Sequence, residues 1–62
     1  MKAEIDQISF NTETLSFFLY VSTNGVQHNF EISQAKASAI LQDSKHSIEF
    51  HSKFVYYIFK NI

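Results

Sequence analysis

The dipeptide Asn24-Gly25, set between two runs in which apolar and polar residues alternate, constrains this chain more than any other feature. Both residues tolerate the positive backbone angles of a two-residue type I′ loop, whose twist suits an antiparallel hairpin. A hairpin closed there puts Val21 opposite His28, Leu19 opposite Phe30 and Phe17 opposite Ile32 on one face. Ser22 with Gln27, Tyr20 with Asn29 and Phe18 with Glu31 occupy the other. The first face is apolar and belongs to a core. The second is polar except for the rings of Phe18 and Tyr20.

Upstream, Ile8 and Phe10 alternate with Gln7 and Ser9, and Asn11-Thr12-Glu13-Thr14 reads as a turn into Leu15. Pairing Phe10 with Leu15 brings Ile8 beside Phe17 on the core face and Ile5 beside Tyr20 on the opposite one. The product is a three-stranded meander with Leu15 to Ser22 in the middle. Downstream, Ser33 suits an N-cap, Ile32 can staple against Ala37, and Gln34 to Gln42 is rich in helix formers. Ala37, Ile40 and Leu41 form the stripe such a helix would bury, and Asp43-Ser44-Lys45-His46 ends it.

The segment from Ser47 carries two patterns. Ile48, Phe50, Ser52 and Phe54 alternate with Glu49, His51 and Lys53, and Phe54 to Phe59 has high strand propensity. Read as a helix, Glu49, Lys53 and Lys60 share one narrow arc, with Ser47 as N-cap, Glu49 in the first turn and Asn61 at the C-cap. The end signals favour the helix. Residues 1–62 are therefore expected to form a single α+β domain, a three-stranded antiparallel β-meander packed by one or two helices in the order βββαα, or βββαβ if the last segment is a strand.

Sixty-two residues bury only about 60% of the surface their unfolded chain exposes, so the core has little in reserve. Cysteine is absent, which removes disulfides and thiolate ligands, yet the chain carries seven Phe and three Tyr. That is more ring area than so thin a fold is expected to hide. Met1-Lys2 leads into Ala3, Glu4, Ile5 and Asp6 rather than an apolar run, so a cytoplasmic location is expected. No apolar stretch approaches the roughly 20 residues of a membrane span.

The pattern offers little chemistry. His28, His46 and His51 lack metal-ligand spacing, so no metal is expected. No strand-turn-helix elbow surrounds a serine, and no two carboxylates are forced into one buried site. The one glycine is taken by the hairpin, leaving none for a phosphate loop. The expectation is a protein that is not an enzyme and uses no cofactor.

Two binding roles remain. The first is a protein-binding module acting by steric occupation of a partner's surface, with self-association as one route to covering its rings. Phages and other mobile elements encode inhibitors of this size, of the anti-CRISPR or anti-restriction type, and bacteria encode small regulators of this size. Ile5, Phe18, Tyr20, Tyr56 and Tyr57 are the residues expected at the interface. The second role is nucleic-acid binding, through Lys36, Lys45, Lys53 and Lys60 or through an aromatic sheet platform. Charge weighs against it: one Lys faces four carboxylates in residues 1–31, and the four lysines lie in residues 32–62 with Asp43 and Glu49. Arginine, the residue best suited to bidentate phosphate and guanine contacts, does not occur.

Overall fold

In the computed structural model, which describes residues 3–59, Asn24 and Gly25 take φ values of 53° and 79° and close the hairpin as their chemistry requires. Strands β1 (Ala3–Asn11), β2 (Ser16–Thr23) and β3 (Val26–Ile32) form the antiparallel meander, with Val21 opposite His28, Leu19 opposite Phe30 and Phe17 opposite Ile32. Helix α1 (Gln34–Asp43) follows, and the Ser33 hydroxyl accepts from the Lys36 amide at 3.1 Å as its N-cap.

The C-terminal segment is not a helix but two strands, β4 (His46–His51) and β5 (Phe54–Phe59), joined by a two-residue turn at Ser52-Lys53. The order is βββαββ. Beyond Phe59, Lys60 and Asn61 lie outside the described residues. The run Phe54 to Phe59 does not alternate because β5 is an interior strand, flanked by β1 and β4, with apolar neighbours on both of its faces. The helical arc of Glu49 and Lys53 was a coincidence of spacing in a segment whose β-branched and aromatic residues gain more from cross-strand partners. Ser52 supplies the positive φ of the turn, at 59°, without the glycine or asparagine that marks such turns in a sequence.

All five strands form one antiparallel sheet in the order β3-β2-β1-β5-β4. Strand β1, expected at an edge, is central. Its pairing with β2 also differs from expectation: Phe10 faces Phe17 rather than Leu15, across a four-residue loop. Asn11 builds that loop, its side-chain oxygen accepting from the amides of Glu13 (2.9 Å) and Thr14 (3.2 Å) and its carbonyl from Leu15 (2.7 Å). The slip of two residues keeps Ile8 and Phe10 on the core face. A bulge at Asp6 then brings Ile5, opposite Val21, onto that face as well.

The helix packs on this face. Ile8, Leu19 and Ala37 are buried, with Ile5, Phe17, Val21, Ile32, Ile40, Leu41, Tyr57 and Phe59 packed around them. Strand β3 ends at one corner of the sheet and β4 begins at the diagonally opposite one, so α1 must cross between them. Its 10 residues span about 15 Å, against about 19 Å of sheet width at five strands. A single diagonal helix leaves the other two corners bare, and there Val26 and Phe30 on β3 and Ile48 and Phe50 on β4 are at least half exposed. No helix among the described residues is long and apolar enough to cross a membrane.

Candidate functional site

The side of the sheet away from α1 is built from the alternate residues of every strand. One transverse row crosses all five: Glu31 on β3 faces Phe18 on β2, Phe18 faces Ser9 on β1, Ser9 faces Tyr56 on β5, and Tyr56 faces Glu49 on β4. A small residue lies at the centre, a ring on each side and a carboxylate at each end. Ser9 is only 3% exposed on a face that no helix covers. Its two cross-strand neighbours, Phe18 and Tyr56, are the side chains large enough to close over it.

The adjacent row runs Asn29, Tyr20, Gln7, Ile58, Ser47. On the other side Phe54 lies opposite Asn11 and stacks on Tyr56, ring centroids 5.9 Å apart at 29°. The outer face therefore carries two banks of apolar side chains, Phe18 and Tyr20 on β2 and Phe54, Tyr56 and Ile58 on β5. Between them β1 contributes the polar, mostly small residues Gln7, Ser9 and Asn11. All five bank residues are half-buried by one another and remain open to solvent.

Of the residues expected at an interface, Phe18, Tyr20 and Tyr56 come together here. Ile5 and Tyr57 do not: both lie on the helix side, packed against the buried cluster. The Asp6 bulge reversed Ile5, and the strand period places Tyr57 opposite to Tyr56. Phe54 and Ile58 join the face only because residues 54–59 form a strand, where a helical reading of the segment puts them elsewhere. Their signal lay in the strand propensity of the unbroken run Phe54 to Phe59, in which Phe54, Tyr56 and Ile58 must share one face once it is a strand.

Charge on this face is acidic. Glu4, Glu31 and Glu49 occupy outward strand positions, and Asp6 joins them at the bulge, where Oδ2 accepts from the Ser22 hydroxyl and from the Gln27 side-chain amide at 3.1 Å. Those two donors, Ser22 first and Gln27 second, hold the Asp6 carboxyl below its ordinary value of 3.8. A lowered folded-state value means that the folded chain binds fewer protons than the unfolded one. The contribution is present above pH 3.8 and is lost as pH falls through the lowered value. Asp6→Asn is expected to flatten this part of the acid limb in urea midpoints measured against pH. A variant whose acid limb superimposes on that of the native chain would assign no stability to the contact.

The lysines do not gather. Lys36 lies in the first turn of α1, Lys45 follows the helix at the far end of the sheet, and Lys60 lies outside the described residues. Lys53 sits in the β4–β5 turn, 3.6 Å from Glu13, with its amine 5.8 Å from the Phe54 ring centroid. The histidines are equally dispersed. His28 is on β3, His51 ends β4, and His46 contacts the Ser44 carbonyl at 3.0 Å and packs near Tyr57 and Phe59. Among the described residues no three His, Cys, Asp or Glu side chains form a group that could hold a metal ion. Comparison with family models, with curated proteins and with solved structures returns no match for this chain.

Proposed function

We propose that this chain is a non-catalytic protein-binding module that docks a partner on the outer face of its sheet, with Phe18, Tyr20 and Tyr56 at the centre and Phe54 and Ile58 beside them. The observation that carries this reading is the transverse row Glu31, Phe18, Ser9, Tyr56, Glu49. Rings concentrate binding energy where they can be desolvated, and carboxylates at both ends of the row favour a partner whose apolar contact is edged by lysine or arginine. The action is steric: the outer sheet face occupies a surface that another molecule needs. The same carboxylates weigh against a nucleic-acid platform, since stacked bases bring phosphates that Glu31 and Glu49 repel.

Replacing Phe18 and Tyr20 together by Ser tests the reading. The double variant is expected to keep its far-ultraviolet spectrum and a cooperative urea transition, while proteins retained by the immobilised native chain from its own cells are lost from it. Retention of the same proteins by the folded double variant would reject the outer face as the site. Binding of a short oligonucleotide that weakens steeply with salt would replace this reading with the nucleic-acid one.

A further inference from the structure

The helix side of the sheet holds a second unsatisfied surface, unrelated to the outer face. At its two bare corners, Val26 and Phe30 on β3 are separated by His28, whereas Ile48 and Phe50 are consecutive on their face of β4. They also extend the core rows outward, Ile48 beyond Tyr57 and Ile8, Phe50 beyond Val55 and Phe10. Ile48 is 52% and Phe50 78% exposed. Strand β4 is a sheet edge, and His46–His51 has no proline, bulge or lysine to guard it, Glu49 on the outer face being its one carboxylate.

Its hydrogen-bonding phase follows from the turn. Residues flanking a two-residue hairpin loop exchange both main-chain bonds, so His51, Glu49 and Ser47 bond to β5. The main-chain groups of His46, Ile48 and Phe50 then face the open edge.

We propose that a second copy of this chain pairs along β4, antiparallel, about a two-fold axis through Ile48. Self-pairing must match outward residues with outward residues, which leaves few registers, and side chains choose among them. With Ile48 opposite the partner's Ile48, all three outward residues find partners, His46 facing the partner's Phe50 and Glu49 facing the partner's Ser47. A register in which Ile48 faces the partner's Phe50 sets Glu49 directly across from the partner's Glu49, a like-charge pair. Setting Phe50 opposite the partner's Phe50 puts Ile48 against the partner's Ser52, which the β4–β5 turn bends away at φ 59°. Setting Ile48 opposite the partner's His46 places Glu49 across from the partner's Lys45 but carries Phe50 past the end of the strand, against the partner's Ser44 at the helix C-cap. Of these registers the first pairs every outward residue of the strand within the strand, covers Ile48 and Phe50, and opposes no like charges.

The axis stands normal to the sheet, so both helices lie on one side and both outer faces on the other. The dimer leaves Phe18, Tyr20 and Tyr56 open twice over, and neither proposal requires the other.

The absence of native cysteine makes the register directly readable. Residues opposed in a hydrogen-bonded pair have Cα atoms about 5.5 Å apart, inside the range a disulfide spans. The native chain is expected to sediment at twice the chain mass, and Ile48→Cys to form an interchain disulfide on mild oxidation far faster than Glu49→Cys or Phe50→Cys. Ile48→Lys, which opposes two ammonium groups at an exposed position, is expected to halve the mass with the circular dichroism unchanged, while Phe30→Lys on β3 leaves it unchanged. A native chain of monomer mass, fastest cross-linking at Glu49→Cys or Phe50→Cys, or dissociation by Phe30→Lys in place of Ile48→Lys would each overturn the proposal.

Discussion

Ile8→Ala is expected to remove about half or more of the protein's stability at room temperature. Ile8 is fully buried on the central strand, between Leu19 and Tyr57 and in one cluster with Ala37. Truncating a buried isoleucine costs about 2–5 kcal/mol, made up of the lost transfer energy and the cavity that remains. Against that, a chain of this length holds about 3–9 kcal/mol in total, at about 0.05–0.15 kcal/mol per residue. The loss and the reserve are of the same size. Urea denaturation followed by circular dichroism should give a midpoint at half the native value or lower. Ile8→Val, which removes one methyl, should cost about 1 kcal/mol and keep a cooperative transition. A native-like midpoint for the alanine variant would mean that the sheet holds without its centre.

Ala37→Leu acts through the opposite fault. Ala37 is the one fully buried residue of α1, and its small side chain sets how closely the helix approaches the sheet. Three extra carbons there must either lift the helix or displace Ile8 and Leu19 from their positions, at a cost of about 1–3 kcal/mol. Leucine and alanine are both strong helix formers, so the change in helix propensity is small and the effect reports packing. The urea midpoint should fall accordingly. A neutral or stabilised variant would reveal slack between helix and sheet, in keeping with the narrow contact that one diagonal helix makes.

Both substitutions fall in the half of the molecule that local rules made legible. Asn24-Gly25 fixed one hairpin and its register, and the faces of β2 and β3 followed from strict alternation. Ser33 marked the helix start, and Ala37, Ile40 and Leu41 marked its buried side. The outward direction of Phe18 and Tyr20 follows from the same register, so the β2 side of the candidate site is legible in the sequence.

The remainder depended on neighbours distant in sequence. The bulge at Asp6 is stabilised by Ser22 and Gln27, 16 and 21 residues away, and without it Ile5 would point outward. Residues 47–59 satisfy a helical and a strand pattern at once, and only the free edge of β1 decides between them, by offering main-chain partners to β5 and ring neighbours on both faces. Tyr56 and Tyr57 illustrate the consequence: adjacent in the chain, they lie on opposite sides of the sheet.

The amino-acid sequence by itself determined a hairpin and a capped helix, because each of these depends on residues close together along the chain. Tertiary structure alone decided that β1 is central, that the tail is two strands, and that Phe18 and Tyr56 flank Ser9 in a row ended by two carboxylates. Those outcomes turn on which strand edges remain unpaired once the meander has formed, and hydrogen bonding across a sheet carries no local signature in the residues that will make it.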